Sequence, residues 1–183
     1  LDIPQTALQS YNQLAWFPGD NGSDATLDSQ IATTDNSWSF SFWLIYKDTG
    51  TGYNFILGSS SIKNVGLKQS DLKLYFKEAV TGTYHALTDA AVSEGEWVHI
   101  AITATADTSM TAYINGSAQT TNSSMTDTEI VVDRFMEGYS STTYEVLGSI
   151  TEISYYNDVL SESEVQDLYN DGKAKSALEA DGS

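Results

Sequence analysis

Residues 96–119 read EWVHIAITATADTSMTAYINGSAQ, and this stretch decides the fold. Val98, Ile100 and Ile102 alternate with Trp97, His99, Ala101 and Thr103, the two-residue period that sends successive side chains to opposite faces of a strand. After a polar break at Ala106-Asp-Thr-Ser, a second alternation sets Met110, Ala112 and Ile114 against Thr111 and Tyr113, and it stops at Asn115-Gly116. A type I′ turn needs positive φ at both central residues, and Asn-Gly tolerates that best. The stretch therefore predicts two adjacent antiparallel strands running into a tight hairpin.

Trp97-Val-His-Ile-Ala-Ile-Thr followed by Ala112-Tyr-Ile-Asn-Gly-Ser resembles the paired signature of laminin-G-like jelly rolls of the concanavalin A-like lectin/glucanase superfamily. Further pieces fall in the family's order. Leu14-Ala-Trp-Phe-Pro-Gly-Asp-Asn-Gly and Trp38-Ser-Phe-Ser-Phe-Trp-Leu resemble its opening segment and an early strand. The run from Gly148 to Tyr169 resembles its closing "GxIDEVRIYnraLSxeEIxxLY" segment. The resemblance implies an all-β fold, a two-sheet antiparallel β-sandwich (jelly roll, concanavalin A-like) with one short C-terminal helix. It spans residues 14–172, leaving 1–13 as a linker or edge segment and 173–183 as a tail.

The residues support this piece by piece. Trp38 to Tyr46 puts Trp, Phe, Phe, Leu and Tyr on one face and Ser39, Ser41, Trp43 and Ile45 on the other, so one face is core and the second is partly covered. Phe55-Ile-Leu-Gly, Val65-Gly-Leu, Leu72 to Lys77, Thr81 to Leu87, Ile130-Val-Val and Val146 to Tyr156 supply further strands at sandwich spacing. Thr120 to Thr128 is nearly all polar and reads as an exposed loop, and Gly138 to Glu145 as a loop with two aromatics. Ser161-Glu-Ser-Glu164 is a capping box with Leu160 and Val165 as its staple. Val165, Leu168 and Tyr169 form the stripe that docks this helix on the sandwich, and Gly172 is its expected left-handed terminator.

Composition narrows the function. A chain of 183 residues suits one domain, and at this size roughly 70% of the unfolded surface is buried. There is no Cys, hence no disulfide, and no apolar run approaches a membrane span. The first residue is Leu1 rather than Met, which suits a processed chain or a piece of a larger one. With 25 acidic and 8 basic residues the net charge is −17, a field that repels phosphate backbones and bilayers, so neither nucleic-acid binding nor membrane insertion is expected. A cation is the more natural partner. Asp20, Asn21, Asp24 and Asp28 offer hard oxygens of the kind calcium prefers, in a segment that reads either as a metal loop or as a solvated turn. In the family this loop shares a calcium with the Asp of the closing segment, but Thr151 stands at that position here, with Glu152 retained beside it.

Retaining glycosidases need two carboxyl groups about 5 Å apart, which the resembling glucanases place on one strand as Glu-x-Asp-x-x-Glu. No such array occurs, and Glu94 and Glu96 read as turn residues. With two His and no Cys, little is present for a nucleophilic triad or a zinc site, and His99 reads as a hydrogen-bonded structural residue. The expected function is a non-enzymatic carbohydrate-binding or adhesion module of a larger surface or virion protein, facing a glycan or surface polysaccharide. Tyr53, Asn54, Tyr84, His85, Tyr139 and Tyr144 are its candidate ligand contacts, since aromatic faces stack on sugar rings while amides bind hydroxyls. The alternative is a structural assembly module that contacts other virion or cell-surface proteins. Whether exposed aromatics cluster in a groove or spread over a flat patch separates the first from the second.

Overall fold

The strand Trp38–Lys47 is buried over almost its whole length, on both faces, and the rest of the chain is arranged to cover it. The computed structural model describes residues 25–33, 36–47, 52–59, 63–78, 82–119, 125, 127–136 and 146–173, together with the backbone of 15–17. Twelve strands are present among these: β1 Ala15–Phe17, β2 Ala25–Ala32, β3 Trp38–Lys47, β4 Tyr53–Gly58, β5 Asn64–Lys68, β6 Lys73–Lys77, β7 Tyr84–Ala86, β8 Val98–Thr105, β9 Ser109–Ile114, β10 Ser117–Ala118, β11 Val131–Phe135 and β12 Leu147–Tyr156. Helix α1, Glu162–Tyr169, follows, and a short 3-10 turn, Asn170–Gly172, ends the described chain. Two six-stranded sheets result, in the orders β1-β12-β3-β8-β9-β10 and β2-β11-β4-β5-β6-β7, and every neighbouring pair is antiparallel. This is the two-sheet all-β sandwich that the sequence predicts.

The inward faces meet in one core. Trp38, Phe40, Phe42, Leu44 and Tyr46 from β3 join Val98, Ile100 and Ile102 from β8 and pack on Leu57, Val65, Leu67, Leu74 and Phe76 of the opposite sheet. Two of the large inward aromatics find polar partners for their tips, as buried polar groups generally do. Trp38 Nε1 donates to the Thr128 carbonyl at 2.9 Å, and the Tyr46 hydroxyl donates to the Val92 carbonyl at 2.7 Å.

The opposite face of β3 is covered by the helix rather than by a second sheet. Val165 and Leu168 pack with Leu160, Ala101 and Tyr113, while Tyr169 joins Trp43, Ile45 and Trp97. The helix begins as predicted: Ser161 accepts from the Glu164 amide, and the Glu164 carboxylate takes the Ser161 N–H at 2.7 Å. Its approach is pinned to β3, since Ser39 Oγ accepts from the Leu160 amide at 3.0 Å and donates to the Asp158 carbonyl at 2.8 Å.

Three local expectations are corrected. The helix stops at Tyr169 and is closed by Asn170, left-handed at φ 48°, two residues before Gly172. Asn is the next-best residue for that conformation after Gly. Residues 25–32, which sequence reading leaves without a strand, form edge strand β2, held by pairing to β11 and by Leu27 and Ile31 against the core. The loop read as exposed between 120 and 128 sends Met125 into the core and buries Thr128, whose hydroxyl accepts from the Asp107 amide.

The Asn115-Gly116 hairpin forms as a two-residue turn between Ile114 and Ser117, with φ of 50° and 76°. The same turn seats the helix. A Cβ on Gly116 would lie 3.0 Å from a ring carbon of Tyr169, and the Asn115 side-chain carbonyl accepts from the His99 amide at 2.9 Å. Gly116→Ala is therefore expected to cost about 1–2 kcal/mol from the left-handed backbone alone. Urea unfolding should show a lower midpoint at unchanged m.

Candidate functional site

On the second sheet, cross-strand register lines up three rows of side chains on the outward face. Tyr53, Lys68 and Lys73 form one row; Phe55, Gly66, Tyr75 and Ala86 the next; Gly58, Asn64, Lys77 and Tyr84 the third. The alternate residues form inward rows, Asn54-Leu67-Leu74 and Leu57-Val65-Phe76-His85. The period of two thus separates the predicted contacts by face. Tyr53 and Tyr84 look outward and partly exposed, whereas Asn54 is 3% exposed and lies inward. His85 also lies inward, its Nε2 3.4 Å from the Glu78 carboxylate.

Tyr53 and Tyr84 start from strands three positions apart and meet over the middle of the sheet. Their ring centroids are 3.8 Å apart with planes 14° from parallel. Phe55 continues the row, 8° from the plane of Tyr53 at 6.4 Å, and Tyr75 meets Tyr53 edge-on at 5.7 Å and 85°. Gly66, the cross-strand partner of Phe55, has no room for a side chain, because a Cβ there would fall 2.5 Å from the Asn54 carbonyl oxygen and 2.8 Å from the Phe55 ring. Aromatic rings bridging over a strand glycine shield the backbone and tie the strands together.

Charge is placed around this stack. Lys68 Nζ lies 5.5 Å from the centroid of Tyr75, and Lys77 Nζ lies 5.3 Å from that of Tyr84. Asp71, in the turn between β5 and β6, accepts from the Tyr75 hydroxyl at 3.0 Å and lies 3.9 Å from Lys68 Nζ. Burial pushes the Tyr75 phenol up to about 12, with the Asp71 carboxylate that accepts its proton adding to the rise. Tyr53 is raised for the same first reason, with Tyr84 and Asp71 contributing. Tyr53 and Tyr75 are therefore neutral throughout the physiological range, and their chemistry is stacking and hydrogen bonding. Phe55, Gly66, Lys68, Lys73, Tyr75 and Lys77 were missed from sequence. Their signal is the alternation Lys73-Leu-Tyr-Phe-Lys77, which marks an outward set as clearly as it marks a core set.

The other predicted positions divide. Tyr139, Tyr144, Asp20, Asn21 and Asp24 lie outside the described residues. Asp28 sits exposed on edge strand β2. Among the described residues no three His, Cys, Asp or Glu side chains converge as a metal site. Thr151 is buried opposite Trp43, and Glu152 follows it at a bulge with φ of 51°.

On the outer face of the first sheet, α1 packs over β3 and β8. Beneath the helix His99 is 1% exposed, hydrogen-bonded through Nε2 to Ser41 Oγ at 2.9 Å, with Trp43 and Tyr169 against its ring. Desolvation lowers its pKa from 6.5 to about 4. It is a neutral packing residue.

A family model for the concanavalin A-like lectin/glucanases superfamily matches residues 19–166. The chain belongs to that superfamily. Among curated proteins no sequence matches it significantly. Solved structures share the fold of this lectin/glucanase-superfamily domain at low identity. Domain 4 of AbnA, a GH43 extracellular arabinanase from Geobacillus stearothermophilus solved with arabinotriose, is similar with TM-score 0.60 and 17% identity, over 86% of this chain and 87% of that one. A heptameric pentraxin from Limulus polyphemus is similar with TM-score 0.56 and 16% identity, over 84% and 80%. Trypanosoma rangeli sialidase is similar with TM-score 0.58 and 13% identity over 75% of this chain, which spans only 23% of the sialidase chain.

The depressed His99 pKa has a consequence for stability. Between 6.5 and about 4 the unfolded imidazole takes up a proton that the folded one refuses, so stability present above pH 6.5 is lost as pH falls through that window. The full shift corresponds to about 3 kcal/mol. His99→Gln removes this one contribution from a pH profile otherwise shared with the wild type. Denaturant unfolding from pH 7 to pH 4 should therefore decline less steeply in the variant, by up to that amount. Parallel declines would show that His99 titrates normally.

Proposed function

We propose that this domain is a non-enzymatic carbohydrate-binding module, serving adhesion in a larger cell-surface or virion protein, with the Tyr53-Tyr84-Tyr75 cluster as its sugar-contacting surface. The observation that carries the reading is the convergence of partly exposed tyrosines from three strands on the outward face of one sheet. Pyranose rings present apolar C–H faces, and clustered aromatic rings with phenol hydroxyls are the surface chemistry that receives them. Membership of a lectin and glucanase superfamily and the arabinotriose bound to a structural neighbour support it. The non-enzymatic part rests on the strand sequences, where the paired-carboxylate spacing of the glucanases does not occur. No described helix is long and apolar enough to cross a membrane.

Tyr53→Ala and Tyr84→Ala each remove one half of the stacked pair. Against a panel of soluble polysaccharides that includes arabinan, each is expected to weaken binding about tenfold, with the far-UV spectrum unchanged. Affinity electrophoresis and calorimetry read this directly. Binding undiminished in both variants would move the site elsewhere, and an empty panel would favour the assembly-module reading, in which this face meets another protein.

Calcium at Asp20, Asn21, Asp24 and Asp28 is a separate proposal, carried by the sequence of that segment. A site with Kd of about 10 µM adds about 2.7 kcal/mol at 1 mM calcium through preferential binding to the folded state. The expected result is a melting temperature that rises from EDTA to millimolar calcium, with the rise abolished by Asp20→Ala or Asp24→Ala. Identical melts in the two conditions would sink it.

A further inference from the structure

We propose that the ligand of the tyrosine face is an acidic polysaccharide of the uronic-acid type, its carboxylates held by Lys68, Lys73 and Lys77. This rests on the carbohydrate-binding reading above and names the class of sugar. The first observation is one of allocation. The chain has 8 basic residues against 25 acidic ones, yet three of the eight stand on the outward face of β5 and β6. That face, from β4 to β7, otherwise holds Tyr53, Phe55, Gly58, Asn64, Gly66, Tyr75, Tyr84 and Ala86, with no acid among them. Among the other basic residues, Lys63 lies between Asp127 at 2.6 Å and Glu129 at 3.3 Å, and Arg134 lies 2.8 Å from Asp133; on the tyrosine face Lys68 lies 3.9 Å from Asp71.

The second observation is a cost. Lys68 and Lys73 are direct cross-strand partners, and like charges placed opposite one another destabilise a sheet. Asp71 lies 3.9 Å from Lys68 but also accepts from the Tyr75 hydroxyl and from the Lys73 backbone N–H, so one carboxylate serves a phenol, an amide and the Lys68 ammonium. An acid at position 73 would relieve the pair. The arrangement acquires a purpose if a ligand brings the missing negative charge.

The third is geometry. Two of the ammonium groups lie beside tyrosine rings, at 5.5 and 5.3 Å from the centroids. A uronic acid carries its carboxylate directly on the sugar ring, so a ring resting against the tyrosines sets that group within reach of the neighbouring lysines. Exposed cation–π contacts are weak and the lysine stem is flexible, so the ammonium can turn onto a carboxylate without leaving the site. Lys73 and Lys77 stand four residues apart on β6, a separation of roughly 13 Å along the strand, which engages several sugars of a chain rather than one. The remote acids repel such a polymer, but their field is screened beyond about 8 Å at physiological salt. Contact with the lysines decides the outcome.

The test compares polygalacturonate, alginate and hyaluronate with methyl-esterified polygalacturonate, neutral arabinan and dextran sulfate, at constant ionic strength, by calorimetry. At least one uronate polymer is expected to bind, and where it is polygalacturonate its methyl ester should bind at least tenfold more weakly. Lys68→Gln combined with Lys73→Gln should lower uronate affinity at least tenfold, while the Lys→Arg pair retains it and neither pair lowers the melting temperature. Neutral polymers binding as well as uronates, with no dependence on the lysines, would overturn this inference and leave the carbohydrate-binding reading standing. Binding of dextran sulfate alone would overturn the carboxylate assignment. If no polysaccharide binds, the broader reading falls and this one with it.

Discussion

Burial of β3 on both of its faces is the constraint from which the architecture follows. Its inward aromatics fill the space between the sheets, but Ser39, Ser41, Trp43 and Ile45 on its other face are also buried, and nothing in a two-layer sandwich covers them. A third layer is required, and α1 supplies it. The capping box, the Leu160 staple and the Ser39 hydroxyl together fix where that helix starts, and Asn170 fixes where it stops. The Asn115-Gly116 turn leaves a glycine under Tyr169, so hairpin and helix fit each other. His99 sits at the centre of this layer as a neutral, desolvated group.

With α1 on one outer face, the outward positions of β4 to β7 on the other sheet combine the partly exposed Tyr53, Tyr75 and Tyr84 with the buried Phe55 and Asn64. Tyrosines and lysines share those outward positions, and rings from strands three positions apart touch. The asymmetry between the two faces is what makes a functional reading possible in a fold that hosts many functions. The superfamily defines the scaffold; the proposed chemistry of this member rests on what the outward positions of β4 to β7 carry.

How far residues alone carried the reading depended on the range of the interaction that governs each element. The Asn115-Gly116 turn and the Ser161-Glu164 cap were legible because both are satisfied within four residues. Strand β3 was legible because its alternation is long and its residues large. Strand β2 was not, since its weakly apolar sequence becomes a strand only through pairing with β11, about a hundred residues away in the chain. Met125 could not be recognised as core within a polar run, because a single apolar residue has no period. At the candidate site, sequence proximity misled: Tyr53 with Asn54, and Tyr84 with His85, are neighbours on the chain but face opposite sides of the sheet.

Sequence by itself determined that this chain is an all-β sandwich with a capped C-terminal helix, strongly acidic and lacking the strand spacing of catalytic carboxylates, because those properties reside in composition, period and contiguous motifs. Tertiary structure decided that the helix closes one sheet face, that Tyr53 and Tyr84 meet, and that Lys68, Lys73 and Lys77 border them. These are relations between strands, set by cross-strand register, and no local pattern encodes the distance between two strands.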